Sequence, residues 1–169
     1  MQRRYFLALL VIPALILITR LTSLATSATP VQRDFVGQFS GEQEVPAVTS
    51  SGHGDVTFQL SKDGTELNYT VHVMDIEHIN HMHLHFGPAG ENGPPIVPLH
   101  PGHDHASHGS GVQGKGVIRA ADLRGPFANA TSLTALVEAM ADGKTYVNVH
   151  TEAFAQGEVR AQVRVSDQQ

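Results

Sequence analysis

The chain has no cysteine and no tryptophan, and only 6% of its 169 residues are aromatic. Without thiols there is no disulfide framework and no thiolate metal site, so the domain must rely on packing and on whatever ions its other side chains bind. Cations are also scarce, with Lys and Arg totalling 11 against 16 Asp and Glu, for a formal charge of −5. Arg3 and Arg4 take two of those cations, which leaves no basic stripe for a nucleic acid. No nucleic-acid partner is therefore expected. Long apolar runs are missing too, except at the N-terminus.

There, Tyr5 to Thr19 is almost unbroken apolar sequence, preceded by Arg3 and Arg4 and followed by small and hydroxylated residues. That order is the order of a secretory signal, with Ala25 or Ala28 as cleavage points. The rival is a retained membrane anchor, since Tyr5 to Leu24 approaches the length of a spanning helix. Pro13 and Arg20 interrupt that stretch and favour removal. Residues 1–28 are thus read as a signal peptide or N-terminal anchor, 29–34 as a linker, and 35–165 as one domain lying outside the cytoplasm. Two short acceptor patterns for glycosylation, at Asn68 and Asn129, are of a kind that arises by chance. Nothing in the sequence sets the oligomeric state.

Within the domain, alternation of apolar and polar residues marks strands. Phe35 to Glu44 is the first segment; Val56 to Leu60 and Leu67 to Met74 flank the turn Ser61-Lys62-Asp63-Gly64 and read as a hairpin. Further strands are expected at Ile79 to Phe86, Ile96 to Leu99, Gly116 to Arg119, Lys144 to His150 and Glu158 to Val165. One helix is expected over Ser132 to Ala141, where Leu133, Leu136, Val137 and Met140 recur at helical spacing before Gly143. Short strands, Gly and Pro turns and a single helix in a connection argue an all-β Greek-key sandwich or flattened barrel, superoxide-dismutase-like or immunoglobulin-like.

The residue in excess is histidine, at 11, most of it packed between His78 and His108. In a strand over Ile79 to Phe86, His81, His83 and His85 share one face and Met82, Leu84 and Phe86 the other. A His-x-His pair places its Cα atoms about 7 Å apart, close enough for both rings to tilt onto one ion bound at about 2.0 Å. His150 is the natural third ligand, because in its strand Val147 and Val149 occupy the face opposite Tyr146, Asn148 and His150. If the two strands are neighbours, three imidazoles meet on one side of the sheet. His83, His85 and His150 are accordingly the main candidate ligands, with His81 and His100 contending for a fourth position.

Isolated strand histidines such as His53 and His72 read as structural or solvated, but packing alone gives no reason for three imidazoles in register. The loop residues His100, His103, His105 and His108 are open to three readings: further ligands, a metal-gathering tract, or a solvated run. An all-imidazole set suits copper, zinc or nickel, and the affinity order favours copper, with zinc possible. Carboxylates are scarce near the cluster, Glu77, Glu91, Asp104 and Glu152 being the nearest, which makes a calcium site unexpected.

Five ordered motifs resemble the CHRD domain, named for its occurrence in chordin. They are Phe39-Ser40-Gly41-Glu42-Gln43-Glu44-Val45-Pro46, His83-Leu84-His85-Phe86-Gly87-Pro88-Ala89-Gly90, Ala121-Asp122-Leu123-Arg124-Gly125-Pro126, Tyr146-Val147-Asn148-Val149-His150-Thr151 and Gly157-Glu158-Val159-Arg160. The resemblance covers Phe35 to Val165 and implies an extracytoplasmic Greek-key β-fold. A second resemblance bears on chemistry. Met82-His83-Leu84-His85-Phe86-Gly87 is similar to the copper-binding strand of copper/zinc superoxide dismutases, and Val147-Asn148-Val149-His150 to a later strand that supplies another copper ligand. That likeness also implies a loop histidine about 15 positions on, where His100 falls, and an arginine that guides the anionic substrate, for which Arg160 is the candidate. The cysteine pair of those enzymes is absent, as is a zinc subsite with its aspartate. The resemblance thus implies a copper site that dismutes superoxide without a defined zinc partner. The rivals are a protein that captures or delivers copper or zinc without turnover, and a structural extracellular module.

Overall fold

The alternation read from the sequence becomes a set of pleated ladders in the computed structural model, which describes residues 33–99 and 111–167. Strands β1 (Asp34–Phe39), β2 (His53–Leu60) and β3 (Leu67–Met74) pair antiparallel in sequence order. Their apolar residues Phe35, Val56, Phe58, Leu67, Val71 and Val73 face inward and are buried. The β2–β3 turn is held by the Asp63 carboxylate, which accepts hydrogen bonds from Ser61 Oγ, Thr65 N and Thr65 Oγ1. Those donors lower its pKa, and Gly64 supplies the positive φ of 74° that closes the turn.

Strand β4 (Ile79–Phe86) has the bounds expected from its pattern, and β5 (Pro95–Leu99) returns beside it. Strand β6 (Gly111–Ile118) is longer than the Gly116 to Arg119 expected, because its glycines hide the alternation while the full β3 edge remains available for pairing. Helix α1 (Thr134–Ala141) occupies the connection to β7 (Thr145–Thr151), with Leu133, Leu136 and Met140 buried. It starts two residues later than the spacing suggested: Leu133 is the N-cap and no side chain caps it, although Ser132 Oγ accepts from Thr134 N at 3.4 Å.

The expected last strand, Glu158 to Val165, is split. Its first part, β8 (Val159–Gln162), pairs with β7, and its second, β9 (Arg164–Val165), pairs with β1 in the other sheet. Val163, fully buried, marks the crossing. The sheet orders are β6-β3-β2-β1-β9 and β5-β4-β7-β8. Because β3 is followed by the β4–β5 pair in the second sheet and then by β6 back at its own edge, the connectivity is a Greek key spanning both sheets. Among the described residues the isolated bridge between Ser40 and Arg160 is the one ladder contact between the sheets along that edge, so the architecture is a sandwich and not a closed barrel. Met82, Leu84, Val147, Val149, Val159 and Ala161 from the second sheet meet the apolar face of the first in one core. Among the described residues no helix is long and apolar enough to cross a membrane. The signal or anchor, most of the linker, and His100, His103, His105 and His108 lie outside the described residues.

Candidate metal centre

Pairing of β4 with β7 decides which histidines meet. His81 lies opposite His150, His83 opposite Asn148, and His85 opposite Tyr146. Leu84 and Val147 point the other way into the core. The rings of His81 and His150 stack with centroids 4.3 Å apart, and His83 stands 5.1 Å from His81 and 5.8 Å from His150. One ring nitrogen from each of the three lies within 4.8 Å of the others. Two imidazole nitrogens on one ion at about 2.0–2.1 Å stand no more than about 4.2 Å apart. Small side-chain rotations therefore suffice to close this set on a metal.

His150 is prepared for that role by its surroundings. Its Nδ1 lies 3.1 Å from the Ala155 carbonyl, and since a carbonyl only accepts, Nδ1 carries the proton and Nε2 presents a lone pair. That Nε2 is buried and has no hydrogen-bond partner, an arrangement that costs about 1–3 kcal/mol unless something such as an ion satisfies it. The loop bearing Ala155 is itself tied down. Glu152 N donates to His78 O at 3.1 Å, and Glu158 accepts from Thr151 Oγ1 and Ser50 Oγ, both at 2.7 Å.

His85 stands beside this trio. Its Nδ1 donates to Gly93 O at 2.9 Å and its Nε2 is also buried without a partner. Its ring stacks on Tyr146 at 4.8 Å and lies 5.7 Å from His83 and 6.3 Å from His150. Of the main candidates, His83 and His150 are thus brought into one donor set with His81, while His85 flanks it. The reason is register. His81, directly across from His150, comes closer to it than His85, which faces Tyr146 further along the ladder. Burial lowers the pKa of His83 and His150 and takes that of His85 from 6.5 to about 4. Neutral imidazoles are the form that binds a metal.

Arg160, expected as an anion guide, is 1% exposed. It donates to Glu91 O at 2.9 Å, and to Pro88 O and Gln162 Oε1 at 2.8 Å, and its guanidinium carbon sits 3.5 Å from the Tyr146 ring centroid. With its donors spent on the protein and its flat face on an aromatic ring, it has no surface to offer a passing anion. Its place in the structure is that of a brace, holding the 88–91 turn and Tyr146, on which His85 stacks.

Two residues here escaped the sequence reading. Glu44 is 7% exposed and accepts from Asn148 Nδ2 at 2.5 Å. Burial pushes its pKa up to about 7, against the pull of Arg160 and the Asn148 hydrogen bond. Glu44 looked like the end of the first strand, but a 3₁₀ turn at Gly41–Gln43 redirects the chain and turns its carboxylate inward. Gly157 is required next to it. A Cβ there would stand 2.4 Å from Asn148 Nδ2 and 2.8 Å from Glu44 Oε1.

The model of the CHRD domain matches residues 35–163. This chain belongs to the CHRD domain family. Curated proteins give no match. The matched span runs through eight strands and the helix of the sandwich, so the histidine site and its braces lie wholly within the CHRD domain.

Proposed function

We propose that this CHRD protein is an extracytoplasmic metal-binding protein that holds copper, with zinc as the second choice, through His81, His83 and His150. The observation that carries the reading is the buried, unpartnered Nε2 of His150, in a residue with a ring nitrogen within 4.8 Å of donors on His81 and His83. An all-nitrogen set without thiolate or clustered carboxylate favours copper on affinity. His81 is exposed, so the donor set keeps one side open to solvent.

That open side supports dismutation of superoxide as one use of the site. Copper, when bound, would supply one-electron exchange between two superoxide ions, giving oxygen and, after protonation, peroxide. The chain's own part is to fix the Nε2 of His150, keep His83 and His150 neutral, and leave His81 accessible. Capture or delivery of the ion is the second use, and the electrostatics favour it. Arg160 is buried, the chain carries a charge of −5, and a cleft of about 400 Å3 is lined by Asp75, Glu77 and Glu158. That field draws cations and repels superoxide.

Copper analysis of the purified chain, with His150→Ala beside it, tests the binding. One Cu(II) per chain, lost in the variant, is expected; equal Cu(II) in both would sink the proposal. A dismutase assay on the loaded protein separates the uses. Turnover above that of the same copper free in solution supports the enzyme, and turnover no faster than that supports the carrier.

A further inference from the structure

The sheet remote from the histidine cluster carries its own unusual group of donors. On the outer face of β2 and β3, His53 lies directly opposite Met74, and His72 is two positions from Met74 on the same face. Opposed residues of an antiparallel pair have Cα atoms about 4.5–5.5 Å apart, and same-face neighbours along a strand about 7 Å. Three side chains so placed can converge above the sheet. Among the described residues, Met74 at 37% exposure is one of only two large apolar side chains out in solvent, whereas Met82 and Met140 are 1% and 0% exposed. His53 is exposed, but like His150 its ring is oriented by a backbone carbonyl. Its Nδ1 is 3.0 Å from the Ser51 carbonyl, with Asp75 Oδ2 at 3.5 Å. Nδ1 therefore carries the proton, and Nε2 offers a lone pair away from the backbone.

We propose that His53, His72 and Met74 form a second metal site, selective for monovalent copper. A thioether is a soft ligand that favours Cu(I), whereas the imidazole-only set of the other sheet suits Cu(II) or zinc. Asp55, opposite His72, is a hard donor and adds nothing for a soft ion. The chain thereby carries two sites of different hardness on opposite faces of the sandwich, the softer one open to solvent. The second does not depend on the first being occupied.

The test uses Ag(I), a redox-silent probe for the same soft donors, added to the chain labelled with ¹³C at its methionine methyl groups. One equivalent, added in a His83→Ala background so that the imidazole cluster competes less, should move the Met74 methyl resonance and leave those of Met82 and Met140 in place. Met74→Leu, at an exposed position that tolerates the change, should weaken Ag(I) binding by at least the roughly tenfold that losing even an outer partner costs a metal site. It should leave Cu(II) binding at His81, His83 and His150 unchanged. A Met74 methyl that does not move, or a Met74→Leu chain that binds Ag(I) as tightly as the parent, overturns the proposal. Loss of Cu(II) binding in His150→Ala reads the other site alone, so either proposal can fail without the other.

Discussion

The two sheets of this CHRD domain show the same alternation, yet their outer faces meet different fates. On the first sheet Thr57, Gln59, Asn68 and Thr70 point into water. On the second, every residue of β7 is buried on both faces, because the segments bearing Glu44, Gly93, Ala155 and Gly157 close over Tyr146, Asn148 and His150. A polar face that is covered must find partners inside the protein. Arg160, Asn148 and the Nδ1 atoms of His85 and His150 find them in backbone carbonyls and in one carboxylate. The two Nε2 atoms do not, nor do Asn148 Oδ1 and Thr145 Oγ1. Covering the second face is what turns ordinary strand histidines into neutral, oriented donors.

The contrast can be broken most forcefully at Arg160. Arg160→Ala leaves the carbonyls of Glu91 and Pro88 and the Gln162 side chain short of a donor and uncovers Tyr146. Urea unfolding should show a loss of about 3–5 kcal/mol, since each buried acceptor left unsatisfied costs about 1–3 kcal/mol. A loss below about 1 kcal/mol would mean that the second face is wetter than its burial indicates.

The pH dependence of the metal-free protein should carry two opposing signatures from the covered face. Glu44, with its pKa raised from 4.5 to about 7, is protonated in both folded and unfolded states at low pH. Its burial penalty therefore accumulates as pH rises from 4.5 to 7. Glu44→Gln, which keeps an oxygen for Asn148, should be more stable than the parent at pH 8 by on the order of 3 kcal/mol, with the gain vanishing below pH 4.5. His85 acts in the opposite sense. Its folded pKa of about 4 lies below 6.5, so the unfolded chain binds protons first and stability falls as pH drops through that window. His85→Gln should flatten this acid-side loss in denaturation curves recorded between pH 6.5 and 4. Parallel curves for parent and variants would show these groups to be solvated.

Copper titration sharpens the comparison within the second face. His83→Ala should weaken binding about a hundredfold or more, whereas His85→Ala should cost closer to tenfold, as loss of a flanking group does. Equal losses would place His85 in the donor set after all. The smallest effect belongs to the first sheet, where Thr57→Ala should change stability by no more than about 0.5 kcal/mol in the same unfolding assay.

Much of this is legible in the sequence alone. The bounds of β4 follow from its alternation, and the sharing of one face by His81, His83 and His85 follows from the two-residue period of a strand. The opposition of Val147 and Val149 to His150 follows in the same way. Glu44 was not legible, because a short 3₁₀ turn with no periodicity decides where its carboxylate points. The burial of Arg160 is illegible for a related reason: a charged residue in a strand gives no sign of whether a loop will cover it. The split of the last strand was hidden as well, since Val159 to Val165 pairs with two different sheets without any break in its pattern.

The sequence by itself determined that this protein is a cysteine-free, all-β domain with a row of imidazoles on one face of one strand, because periodicity is a local property and histidine content needs no fold to be seen; that the sheets form a sandwich and not a barrel came from their pairing. Only the tertiary structure decided which of those imidazoles meet. The register of β4 against β7 sets His81, rather than His85, across from His150, and the loops that cover β7 fix which ring nitrogen is free. Both depend on contacts between residues far apart in the chain, where no local pattern records them.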